Sequence, residues 1–144
     1  MKLENVLAAK GSRIEVCALT DTVRDVIARL KAANVGALVV VDGERPVGII
    51  SERDIARAVD GDTDVPSLPV SALMTHEVVL GEPGDDVAAV LDTMTAHHFR
   101  HLPVVLDGRL VGIVTTGDLV RAELDTLRGH VVTLEDQVMA GGAE

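Results

Sequence analysis

The chain repeats itself. Residues 14–59 lie over residues 78–123 at a constant offset of 64, without a gap, and 14 of the 46 paired positions are identical. Among the identities are Asp21/Asp85, Val26/Val90, Leu38/Leu102, Val40/Val104, Gly48/Gly112, Asp54/Asp118 and Arg57/Arg121. Chance would give only a few. The duplication requires one folding unit to be used twice. Polar residues kept in both copies then fall at pseudo-symmetric places, where two units can face each other across a cleft.

Hydrophobic periodicity gives each unit its elements. Ile14 and Val16 alternate with Glu15 and Cys17 as in a strand, and Val23, Val26, Ile27 and Leu30 follow Thr20-Asp21-Thr22 at helical spacing. Ala37–Val41 is a continuous apolar run, hence a strand buried on both faces. Asp42-Gly43 marks a turn, Val47–Ile50 the returning strand, and a helix starts near Glu52. The second copy repeats this order. Val78 and Leu80 stand for the first strand, Asp85-Asp86 cap the helix, and Leu102–Leu106 and Leu110–Val114 flank Asp107-Gly108. The turn glycine is displaced by one position between copies, so the two hairpins are expected to differ in loop shape. The expected fold is α/β: two tandem β-α-β-β-α repeats and a C-terminal helix. Residues 1–65 form the first repeat with its N-terminal segment, 66–124 the second, and 125–144 an extension.

Composition narrows the function classes. Trp and Tyr are absent and Phe99 is the sole aromatic, so the core is aliphatic and no platform exists for stacking bases. The net charge of −10 opposes a nucleic-acid partner. A single cysteine, Cys17, excludes an internal disulfide and a thiol-rich metal cluster. The first residues lack the apolar stretch of a signal peptide, and no run reaches the ~20 residues of a membrane span. The expectation is a cytoplasmic protein without membrane contact.

Beyond the repeats, Val120, Leu124, Leu127, Val131, Leu134 and Val138 step by 4, 3, 4, 3 and 4, a heptad seam interrupted by Gly129. Two readings are open. The helix packs back on its own domain with a break near Gly129, or it runs on and packs against another subunit. Completion of both repeats before the tail favours the second.

The shared polar residues cluster after the last strand of each copy, in Gly48-Ile-Ile-Ser51-Glu52-Arg53-Asp54 and Gly112-Ile-Val-Thr115-Thr116-Gly117-Asp118. A strand ends at a hydroxyl and a helix begins with an Asp in its first turn. Free N–H groups and the helix dipole there favour an anion. The carboxylate can accept two vicinal hydroxyls, as on a ribose, and the glycine keeps the strand low for a flat ring. The same residues also suit a plain helix cap. Three histidines, His97, His98 and His101, lie within five residues but on different elements, which argues against a metal site. No serine elbow and no Gly-rich phosphate loop is present, so catalysis has little support.

These motifs, with Val35–Asp42 and Arg100-His-Leu-Pro-Val-Val105 upstream, resemble a pair of CBS (cystathionine-β-synthase-type) domains of the small stand-alone bacterial kind, over roughly Lys2 to Leu124. The resemblance implies two repeats in pseudo-twofold packing, dimerisation into a disc, and adenosine ligands in two clefts between repeats: AMP, ADP or ATP, and in some members NAD or S-adenosylmethionine. One cleft would use Ser51, Arg53 and Asp54 with Val79, Arg100, His101 and Pro103. The other would use Thr115, Thr116 and Asp118 with Glu15, Val35, Gly36 and Ala37. The clefts are unequal. Gly117 stands for Arg53 and Gly36 for Arg100, so the Asp54 cleft is expected to take the more phosphorylated ligand. The expected function is a non-catalytic, homodimeric sensor of adenine nucleotides acting on a client protein. The rivals are a constitutive dimerisation module with vestigial clefts and, more weakly, a nucleotide-processing enzyme.

Overall fold

The computed structural model describes residues 1–11, 14–61 and 63–142, with side chains through Gly129. Its elements are α1 (Leu3–Lys10), β1 (Val16–Ala18), α2 (Val23–Ala33), β2 (Ala37–Asp42), β3 (Arg45–Ser51), α3 (Glu52–Ala58), a 3-10 turn (Val65–Ser67), α4 (Val70–Leu73), α5 (Val87–Ala96), β4 (His101–Leu106), β5 (Arg109–Thr115) and α6 (Thr116–Gly142). In the first unit β1 runs parallel to β2, and β2 pairs antiparallel with β3. Helix α2 starts where the Thr22 hydroxyl accepts from the Asp25 N–H and the Asp25 carboxylate accepts from the Thr22 N–H, and it stops at Asn34 in the left-handed region. Its Val23, Val26 and Leu30 are buried against Leu38, Val40 and Ile50.

The hairpins have equal length and different turns. Both loops hold two residues, between Asp42 and Arg45 and between Leu106 and Arg109, and both strand pairs are irregular at the same place, Val40/Val41 and Val104/Val105. In the first, only Gly43 has positive φ (67°), the pattern of a type II′ turn; in the second, Asp107 (52°) and Gly108 (78°) both do, the pattern of type I′. Moving the glycine by one position switches the turn and keeps the register.

The second unit departs from expectation at its first strand. Residues 78–80 form none; pairing contracts to one parallel bridge, Gly81 to Val104. The cause is a pair of prolines. In the first unit Val39 donates its N–H to the Glu15 carbonyl at 3.4 Å and Leu19 donates to the Val41 carbonyl at 3.3 Å; their counterparts, Pro103 and Pro83, have no N–H to offer Val79 and Val105.

The N-terminal segment, grouped by sequence order with the first repeat, packs in the second. Leu3 and Val6 of α1, a helix the periodicity did not reveal, are buried with Val87, Met94, Leu102, Val104, Val114 and Leu119. Reciprocally, Val65, Val70 and Met74 enter the first core. The exchange is pseudo-symmetric. The Leu3 N–H donates to the Asp85 carbonyl as the Val70 N–H does to Asp21, both at 3.0 Å.

Helix α6 runs 27 residues through Gly129 without a break, as in the second of the two readings. Leu119 is fully buried in the second core, but Val120, Leu124 and Leu127 are exposed. Val131, Leu134 and Val138 lie outside the described side chains. Among the described residues no helix is long and apolar enough to cross a membrane.

Candidate functional site

Both strand–helix junctions are helix caps in fact. Ser51 Oγ accepts from the Asp54 N–H at 3.2 Å, while Asp54 Oδ2 accepts from the Ser51 N–H (2.8 Å) and hydroxyl (2.9 Å). At the second junction Thr115 Oγ1 accepts from the Asp118 N–H at 3.1 Å, and Asp118 Oδ2 accepts from the Thr115 N–H at 2.9 Å. Capping does not exhaust Asp54. Its bonds all fall on Oδ2, and a carboxylate has about four acceptor positions. The motif glycines do not leave room for a ring. A Cβ on Gly48 would meet Met74 Sδ at 2.7 Å and the Thr75 carbonyl at 3.0 Å, and one on Gly112 would meet Leu7 Cδ2 at 2.5 Å. That space is taken by the segment leading into the opposite repeat.

Around Asp54 a cleft of about 910 Å³ opens between the repeats. Ser51, Arg53, Asp54 and Arg57 form one wall, and Arg100 and His101 another. Val79 lines it as well, in the stretch that Pro103 keeps out of the sheet, so its carbonyl has no ladder partner. Pro103 itself does not line the cleft; it shapes the wall from within β4. Gly36, assigned by resemblance to the other cleft, lines this one, and its carbonyl accepts from the Glu52 N–H at 2.9 Å. Thr75, Glu77, His97 and His98 are also among the lining residues and were not foreseen as site residues. His98 is solvent-exposed there, with φ of 59°. Among the described residues no group of three His, Cys, Asp or Glu side chains is placed to hold a metal ion.

The charge around this cleft is mixed and, among the arginines and carboxylates, balanced. Three arginines and three histidines face Asp54, Glu52 and Glu77. Burial pushes the His101 imidazole below its ordinary pKa of 6.5; Lys10 and Arg100 add to this, and Asp118 and Asp54 oppose it. His101 therefore senses both motif carboxylates and is neutral when no ligand anion is near.

The Asp118 side is built differently. Lys10, the last residue of α1, reaches Asp118 Oδ2 at 2.6 Å and the Ile113 carbonyl at 2.8 Å. Lys10 was missed because it belongs to an unforeseen helix from the far end of the chain. Burial pushes the Asp118 carboxyl up, but the Lys10 and Thr115 hydrogen bonds with the Lys10 charge outweigh it and hold the pKa below the ordinary value. Glu15, Val35 and Ala37, also assigned to this cleft, have roles in the first unit as well. Ala37 is buried in β2 opposite Ser51, Val35 packs on the first core, and the Glu15 carbonyl is used by Val39. Thr116 lines a separate groove of about 510 Å³ along α6, with Arg121, Leu124 and Arg128.

Cys17 plays no visible part. Burial first, then Asp21, pushes its thiol up to about 11 against the opposing Arg29, so it is an inert core thiol.

Comparison with known proteins bears on this architecture. The chain is 42% identical over 106 residues to an uncharacterized 17.7 kDa protein of Acidianus ambivalens; the match spans 72% of this chain and 63% of that protein. Two solved structures share the fold. One is a CBS domain protein from Pyrobaculum aerophilum complexed with AMP (30% identity, 82% of this chain and 89% of that one, TM-score 0.72). The other is the CBS domain pair of protein MJ0100 with 5′-methylthioadenosine and S-adenosyl-L-methionine (26% identity, 88% and 98%, TM-score 0.74). The family model for the CBS domain matches twice, over residues 12–61 and 70–125, which are the two units described above. With the family model matched once on each unit of the duplication, the chain is a CBS domain pair and belongs to the CBS domain family.

Proposed function

We propose that this chain is a non-catalytic regulatory module that binds an adenosine nucleotide in the Asp54 cleft and reports its occupancy to a partner protein. The observation that carries the reading is the convergence there of a carboxylate with free acceptor capacity and three arginines in one inter-repeat cleft. Asp54 would take the ribose hydroxyls, Ser51 and Arg53 with Arg100 and His101 the phosphates, and the unpaired Val79 backbone the adenine edge. The AMP and S-adenosylmethionine complexes of the similar structures support an adenosine ligand. The arginines favour AMP, ADP or ATP, or the pyrophosphate of NAD, over an uncharged nucleoside.

Adding AMP, ADP, ATP, NAD or S-adenosylmethionine to the folded protein tests this. A ligand at 100 times its Kd adds about 2.7 kcal/mol of stability and raises the melting midpoint by several degrees. No rise with any of the five would sink the reading. Recovery of the nucleotide unaltered after prolonged incubation distinguishes a sensor from a nucleotide-processing enzyme.

A second reading is favoured by the exposed Val120, Leu124 and Leu127 on α6: the chain is a homodimer joined along this helix, with or without a ligand. Their heptad spacing continues through Val131, Leu134 and Val138 and commits the occupant to a second copy of this chain.

A further inference from the structure

We infer that Lys10 is an internal plug of the Asp118 cleft, so that the chain presents one open nucleotide site where the duplication provides for two. The inference rests on the proposed function in that it takes the motif carboxylate to be a ribose acceptor.

The two lead-in segments set up the difference. Lys2–Leu7 and Pro69–Met74 are structural equivalents. Lys2 bridges Asp86 as Pro69 bridges Thr22, and Leu7 fills the space over Gly112 as Met74 does over Gly48. After these stretches the chains diverge. Three residues, Thr75 to Glu77, join Met74 to the second repeat at Val78; six residues, 8–13, join Leu7 to the first repeat at Ile14. The three additional residues allow α1 one more turn, from Ala8 to Lys10, where α4 has already ended at Leu73.

That turn replaces one set of contacts with another. In the first repeat the Thr75 N–H donates to the Ile49 carbonyl at 2.8 Å. In the second, the equivalent Ile113 carbonyl accepts from the Lys10 ammonium, also at 2.8 Å, and the same ammonium donates to Asp118. Asp54 has no ion-pair partner among the described residues. Glu77 lines its cleft instead, and a carboxylate cannot satisfy another carboxylate. The Asp118 bonds also all fall on Oδ2, which leaves Oδ1 as open as that of Asp54. The difference is that a ribose diol there must settle beside, and share the carboxylate with, a charge-assisted bond held in place by a second acceptor, with both side chains only 32% and 23% exposed. A diol at Asp54 competes with no cation.

Titration calorimetry with AMP tests the plug in an Asp54→Ala background, where the first cleft is disabled. Lys10→Met and Lys10→Gln should each bind one AMP per chain at least about ten-fold more tightly than Asp54→Ala alone. Adding Asp118→Ala should abolish that gained site. Two side chains of different polarity guard against one of them failing to fold. Unchanged binding in both Lys10 variants would overturn the inference. So would weaker binding, because Lys10 would then be a phosphate contact. If the wild type binds one AMP that Asp54→Ala removes and the Lys10 variants gain nothing, only the plug fails. If the wild type binds none and the Lys10 variants gain a site, only the assignment of the Asp54 cleft fails.

Discussion

At the scale of single residues, the same motif does two jobs and the environment decides whether the second is available. Asp54 and Asp118 both cap a helix, yet only Asp118 meets a cation. The pKa directions carry consequences. The folded state holds His101 below 6.5, so at pH just under that value the unfolded chain binds a proton that the folded chain refuses. Its contribution therefore lowers stability as pH falls through this window and leaves it unaffected above it. His101→Gln should flatten the decline in melting midpoint between roughly pH 7 and pH 5. A phosphate beside His101 would favour the imidazolium. AMP binding near pH 6.5 should accordingly take up protons, seen as a dependence of calorimetric enthalpy on buffer ionisation. The paired glycines make a separable case. A methyl on Gly48 meets the Thr75 backbone as well as Met74, whereas the nearest atoms to one on Gly112 all belong to the Leu7 side chain. Gly48→Ala should cost about 1–3 kcal/mol in denaturant unfolding and Gly112→Ala less.

At the scale of elements, the repeat made the sheets, α2, α5 and the capped junctions legible, because each rests on local patterning: apolar runs, helical spacing, turn glycines. What was not legible depends on contacts distant in sequence. Helix α1 has weak periodicity and is recognised only by where Leu3 and Val6 pack. The missing strand at 78–80 follows from Pro83 and from Pro103, the latter more than twenty residues away, which has no N–H to give the Val79 carbonyl. Leu3→Ala should cost about 2–5 kcal/mol, the amount for a fully buried leucine, and should destabilise the second unit's core although the residue stands beside the first in sequence. Along α6, the two readings left open divide at Gly129, and the helix runs on; a cost of about 1 kcal/mol does not stop a 27-residue helix. A Cβ there meets open space, so Gly129→Ala should raise stability by up to about 1 kcal/mol.

At the scale of the whole molecule, duplication supplies two motif carboxylates and divergence makes their surroundings unequal. The arginine–glycine differences between copies pointed to the Asp54 cleft as the phosphate site, and the Lys10–Asp118 pair adds an obstacle on the opposite side. That obstacle was invisible in the repeat because it lies in the lead-in, outside the 46 aligned positions. The α6 stripe belongs to this scale too. Leu124→Asp with Leu127→Asp should shift sedimentation from dimer to monomer while leaving the core intact, since both side chains are exposed. An unchanged oligomeric state would remove α6 from the interface. The central claim, that the Asp54 cleft is the open nucleotide site, is tested most directly by titrating AMP calorimetrically into the wild type, Asp54→Ala and Asp118→Ala. The account expects Asp54→Ala to weaken binding by about ten- to a hundred-fold, the scale of a lost hydrogen bond to a charged group, and Asp118→Ala to leave it near the wild-type value. Equal losses in the two variants, or a loss confined to Asp118→Ala, would contradict it.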